Sequence, residues 1–134
     1  MADRETQLIA IVEDDASVRE SLSDLLASSG YTTRSFSSGE AFLQWQDRTA
    51  ADCIISDIRM PGISGLRLAF TLRQQNPHVP VVLITAHADE ESGLAAFPSL
   101  SGTVLVLRKP FHPHGLLAAI REAPRIAMAR ANLE

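Results

Sequence analysis

Cysteine, long apolar runs and excess positive charge are all scarce in this chain. Its one cysteine, Cys53, excludes an intramolecular disulfide, and a place inside the run "CIIS" predicts a buried core residue in a reducing, cytoplasmic setting. No apolar run approaches the roughly 20 residues of a membrane span. The N-terminal "MADRETQ" is polar and acidic where a secretory signal would be basic and then apolar, so a soluble protein with no membrane partner is expected. Twelve basic residues against 16 acidic ones give a formal charge of −4. That balance supplies no basic footprint, which disfavours direct nucleic-acid binding and leaves proteins or cations as partners. Internal repeats and low-complexity segments are also missing.

What is present is the material of one ordinary domain. The 134 residues suffice for a core without staples, and 46% apolar with 21% charged residues is a soluble composition. Short apolar runs recur as "LIAIV" (8–12), "TTRSF" (32–36), "CIIS" (53–56), "VVLIT" (81–85) and "VLVL" (104–107). Four are nearly continuous, as strands covered on both faces should be, whereas the second alternates like an edge strand. Between them lie segments of helical period. Val18, Leu22, Leu25 and Leu26 form a stripe from Ser17 to Ser28 with Gly30 placed to stop the helix. "SSGEAFLQWQ" opens on a serine cap with Glu40 in its first turn, and "SGLRLAFTLRQQNP" runs from a Ser64 cap to Asn76-Pro77. The fourth segment, "HADEESGLAAFPSLSG", is interrupted by Gly93, Pro98 and Gly102, which predicts a short helix with an irregular exit. The fifth, "HPHGLLAAIREA", carries Leu116, Leu117 and Ile120 on one side before it meets Pro124.

Strand and helix thus alternate five times, which predicts an α/β fold of three layers with a parallel sheet and right-handed crossovers. Ligands of such sheets bind beyond the carboxyl ends of the strands. The acids fall there: the first strand runs into Glu13, Asp14 and Asp15, and the third ends at Asp57. If those strands are neighbours, their carboxylates repel and resist ionising together. Two sources of positive charge are candidates, a hard divalent cation such as Mg2+ and Lys109 after the fifth strand. A metal offsetting part of the cluster would leave one carboxylate to meet a phosphoryl group, whose oxygens Lys109 and the Thr85 hydroxyl could hold. Cys53 and the histidines His78, His87, His112 and His114 form no convincing soft-metal set.

In this order, "IAIVEDDASVRESLSDLLASSGY", "SDIRMPGISGL", "VVLITAH" and "LRKPF" resemble response-regulator receiver domains over nearly the whole chain. The resemblance implies a (βα)5 doubly wound sheet of flavodoxin-like order 2-1-3-4-5. It implies Asp57 as the phospho-acceptor, Asp14 as a direct metal ligand, Glu13 as a ligand through water and the Arg59 backbone carbonyl as the remaining protein ligand of Mg2+. Thr85 matches the switch hydroxyl and Lys109 the lysine, with a cis Lys109-Pro110 bond. Asp15 matches no functional position and is expected to cap or solvate the start of the first helix. Where the family usually carries Tyr, Phe or His, three residues before the lysine, this chain has Val106. The opening half most resembles receivers that precede a helix-turn-helix output domain.

The implied activity is that of a phospho-acceptor signalling domain rather than an enzyme. The phosphoryl group comes from a sensor histidine kinase or histidine phosphotransfer protein, and a protein-interaction surface then switches. A downstream protein, a fused output domain and a second copy in a phosphorylation-dependent homodimer are the further partners. The expected organisation is a receiver over residues 1–123 and a tail or linker over 124–134. Each residue alone has a plainer account: a strand-end Asp caps helices, "KPF" makes turns, and threonine favours strands. Their convergence on one edge outweighs those accounts. The rival is a phosphorylation-independent interaction module. An aspartyl-phosphate phosphatase ranks last, because the acid it needs two residues after the nucleophile is Arg59.

Overall fold

The computed structural model describes residues 7–86, 93–97, 100 and 103–132. Five parallel strands, β1 (Leu8–Val12), β2 (Thr32–Phe36), β3 (Cys53–Asp57), β4 (Val81–Thr85) and β5 (Leu105–Arg108), form one sheet in the order β2-β1-β3-β4-β5. The helices are α1 (Ala16–Ser28), α2 (Gly39–Gln44), α3 (Gly65–Gln75) and α4 (Pro113–Asn132). Short 3-10 turns cover Arg48–Ala50 and Gly93–Ala96. Apart from the second of these turns, Phe97 and Leu100, the segment expected to form a short fourth helix lies outside the described residues, as does His87.

Alternation along the strands divides the core into two layers of contact. Ala10, Val12, Ile54, Val81 and Leu83 face Phe42 of α2, Leu68 and Leu72 of α3, and Leu100. Ile9, Ile11, Ile55, Val82 and Ile84 face Leu22 and Leu26 of α1 and Leu116 and Ile120 of α4. Cys53 joins this second layer, and burial pushes its thiol up to about 12. Each fully buried aliphatic side chain contributes about 1.5–3 kcal/mol, so the continuous runs read from the sequence are what hold the layers together. β5 departs from that pattern. Leu105, Val106 and Leu107 are only half-buried, because β5 lies at the sheet edge with β4 as its neighbour on one side.

Local signals place the helix ends. Asp15 caps α1 by accepting the Ser17 and Val18 amides at 2.9 and 3.2 Å, and its hydrogen bonds with Ser17 hold its carboxyl below the ordinary value. At the other end Gly30 takes φ +97°, and the Tyr31 and Gly30 amides donate to the Leu26 and Ala27 carbonyls, a Schellman closure. Ser38 and Ser64 cap α2 and α3 through the amides of Ala41 and Arg67. α4 does not stop at Pro124. It continues to Asn132 with the proline inside it, and the burial of Ala123 and Ala127 on either side offsets the missing backbone donor.

Candidate functional site

Pairing of β1 with β3, and of β3 with β4, puts the exits of β1, β3 and β4 side by side. At the first exit, the Glu13 amide prolongs the sheet by donating to the Phe36 carbonyl at 3.0 Å, and Arg19 of α1 donates to the Glu13 carbonyl at 2.7 Å. This anchoring draws the Glu13 side chain under the surface, with 2% of the residue exposed. Asp14, one position on, is exposed. Asp57 ends β3 and is partly exposed, while the next amide, that of Ile58, donates to the Ile84 carbonyl of β4 at 2.8 Å.

The positive partner arrives from the far side of β4. The Lys109 amide donates to the Thr85 carbonyl at 2.8 Å, which fixes the lysine just beyond β5. Its Nζ lies 3.5 Å from Asp57 Oδ2 and 4.0 Å from Glu13 Oε1. The following Lys109-Pro110 peptide is cis. Thr85 ends β4 fully buried, and Arg59 is exposed in the connection that leaves Asp57. Glu13, Asp14, Asp57 and Lys109 therefore converge, with Thr85 and Arg59 on segments directly attached to them.

One ligand atom each from Glu13, Asp14 and Asp57 lies within 4.8 Å of the others. Burial, followed by the negative charge of Asp57, pushes the Glu13 carboxyl up to about 7, against the lowering effects of the Asp15 amide and Lys109. Glu13 Oε2 accepts the Asp15 amide at 3.1 Å, whereas its buried Oε1 has no hydrogen-bond partner. An unsatisfied buried carboxylate oxygen is costly, and here it belongs to an all-oxygen donor set. These residues fit a hard divalent cation that takes one or two carboxylates and keeps several waters. They also leave a carboxylate beside an ammonium group, the arrangement a phosphoryl acceptor requires.

Two glycines build the connection behind Asp57. The Gly65 amide donates to the Ile58 carbonyl at 2.8 Å, and a Cβ at Gly65 would run into the Asp57 carbonyl. Gly62 takes φ +77°, the left-handed region that favours glycine. Pro61-Gly62 is turn chemistry in the sequence, but nothing local names the residue that meets it. Glu40 Oε2 of α2 accepts the Ile63 amide at 3.0 Å.

A profile described as "Response regulator receiver domain" matches residues 9–121. The response regulator protein TodT of Pseudomonas putida is 38% identical over 127 residues, covering 95% of this chain and 55% of TodT. The chain thus spans about half the length of that relative. The structure of full-length FixJ from B. japonicum is similar with a TM-score of 0.79 and 34% identity, over 96% of this chain and 63% of FixJ. The response regulator TrrA of Thermotoga maritima, solved in complex with Mg2+ and BeF, aligns with a TM-score of 0.77 and 28% identity over 88% of this chain and 99% of TrrA.

Proposed function

Since the chain belongs to the response-regulator receiver family, we propose that Asp57 is its phospho-acceptor and that Mg2+ assists the transfer. One observation carries the reading: at a single strand-exit edge, Asp57 stands 3.5 Å from Lys109 Nζ and within a 4.8 Å cluster of carboxylate oxygens. A Asp57 carboxylate oxygen attacks phosphorus, the bond to a donor nitrogen of phospho-histidine breaks, and the released imidazole takes up a proton. The product is an acyl phosphate on Asp57. Lys109 and the Thr85 hydroxyl hold phosphoryl oxygens as the charge redistributes, since charge-assisted hydrogen bonds are the stronger ones. Asp14, the Arg59 carbonyl, Asp57 and, through water, Glu13 would hold Mg2+, which supplies charge that offsets the carboxylates. The binding of Mg2+ and BeF by TrrA supports this assignment.

The chain in this reading is a cytoplasmic signalling domain, served by a sensor histidine kinase or a histidine phosphotransfer protein, rather than an enzyme with a separate substrate. Residues 1–123 form the receiver and 124–134 a tail or linker whose first turn packs on it through Ala127. Phosphorylation pulls Thr85 toward the new oxygens and biases an interaction surface for a downstream protein, an output domain or a second copy. The second reading, a partner surface indifferent to phosphate, is favoured by Val106, which is half-buried against the core and too short to turn inward as an aromatic ring would. Incubation with acetyl phosphate and Mg2+ followed by intact mass separates the two. The parent should gain one phosphoryl group and Asp57→Asn none. Equal labelling of that variant, or no gain in the parent, would overturn the assignment.

A further inference from the structure

α2 reaches the connection behind Asp57 at one well-defined point. Glu40, in the helix's first turn, is exposed, yet its Oε2 accepts the Ile63 amide at 3.0 Å. The residue before that amide is Gly62, at φ +77°, where a Cβ would lie 3.0 Å from Glu40 Cδ and closer still to Oε2. On the helix side, a Cβ at Gly39 would stand 3.3 Å from Ile63 Cβ. The carboxylate thus occupies space that only glycine leaves open, on a backbone conformation that favours glycine. Farther along, Gly65 fixes the other end of the same connection to Ile58 and against the Asp57 carbonyl. Between Asp57 and these two fixed points lies Arg59.

We propose that Glu40 is a positioning residue for the phosphoryl and metal site. By holding the peptide that follows Gly62, its carboxylate sets where the Arg59 carbonyl is presented beside Asp57. This rests on the Mg2+-binding reading above. A free amide at Ile63 could satisfy itself with water, and the connection would then lose its hydrogen bond to α2. The role belongs to the acceptor oxygen and not to the negative charge, so glutamine can fill it and alanine cannot.

Two readouts on the full chain test this. In metal-free protein, amide hydrogen exchange at Ile63 should be about tenfold faster in Glu40→Ala than in the parent. Calorimetric titration with magnesium chloride should give about tenfold weaker binding in the same variant, as for other residues that orient a metal ligand. Its melting temperature should stay near the parent's. Glu40→Gln should restore most of both effects, and Gly62→Ala, whose methyl displaces the carboxylate, should reproduce the loss. Parental exchange at Ile63 in Glu40→Ala overturns the positioning role even where the parent binds Mg2+. Equal weakening by Gln and Ala assigns the effect to charge and overturns it too. A parent that binds no Mg2+ overturns the reading of the site itself, and with it the metal role given to Glu40.

Discussion

Glu13 and Arg73 are both buried charged residues, at opposite ends of the same sheet, and they are satisfied to different degrees. Glu13 sits at the strand exits with no hydrogen bond to Oε1, which has only the Lys109 ammonium 4.0 Å away, and with its carboxyl pushed up to about 7. Arg73, near the strand starts, donates to the carbonyls of Pro77, Val79 and Thr103 at 3.0, 2.6 and 2.9 Å. Burial pulls its guanidinium below the ordinary value, and three well-placed carbonyls make the ion tolerable there, although its buried Nε, like Glu13 Oε1, has no hydrogen-bond partner. One end of the fold spends a charge to tie α3 to the segments leading into β4 and β5. The other end keeps a carboxylate under-satisfied, as sites that await a ligand do.

The largest expected effect lies at the better-satisfied end. Arg73→Met removes one donor group from three carbonyls, two of which it reaches in fully buried contacts. A loss of about 4 kcal/mol in urea unfolding is expected, from charged hydrogen bonds lost and acceptors left bare. The folded fraction should still take phosphoryl from acetyl phosphate at the parental rate. A loss below about 1 kcal/mol would mean that water replaces the guanidinium, and a slowed transfer would mean that the two ends are not independent.

The unsatisfied end should announce itself through pH. Glu13 titrates at about 7 in the folded chain against an ordinary 4.5. Between those values the folded state holds more protons than the unfolded one, so stability without metal falls as pH rises through this window. The fall is complete above about pH 7 and is on the order of 3 kcal/mol. Glu13→Gln should flatten that part of the stability curve. An unchanged slope in the variant would move the titration elsewhere and remove the basis of the contrast.

Arg73 also marks where sequence reasoning stopped. Leu66, Ala69 and Arg73 share one stripe of α3, and the charge on that stripe was a signal that a core position needed polar partners; nothing local says they are the carbonyls of Val79 and Thr103. The strands were legible because apolar runs bounded by turn residues require little context, and Ser38, Ser64, Asp15 and Gly30 announced helix ends by local chemistry. The run of β5 misled about burial, since its composition matches a covered strand while its place in the order is an edge. Pro124 misled about the end of α4, because tertiary burial of Ala123 and Ala127 overrides a local stop signal. At the site, the strand exits could be read to gather Glu13, Asp14, Asp57 and Lys109. The Glu40 to Ile63 contact could not, because it joins α2 to a connection far along the chain.

The smallest expected effect is also the one that separates repulsion from ligation. Asp14 contributes negative charge that raises Glu13, but it is exposed, and its field is correspondingly screened. Without metal, Asp14→Asn should therefore melt no lower than the parent, with a gain within about 0.5 kcal/mol. The same substitution should sharply weaken Mg2+ binding, because a neutral amide oxygen replaces a carboxylate facing a hard cation. Thermal melts with and without magnesium chloride read both quantities from one sample, since a ligand that binds only the folded state raises its stability by mass action. The parent's melting point should rise with Mg2+ and the variant's should not. If the variant keeps the parental Mg2+ response, Asp14 is not a ligand and the cluster binds the cation through Glu13 and Asp57. If it melts well below the parent without metal, Asp14 is a structural residue, and the strand-exit end is better satisfied than the contrast with Arg73 requires.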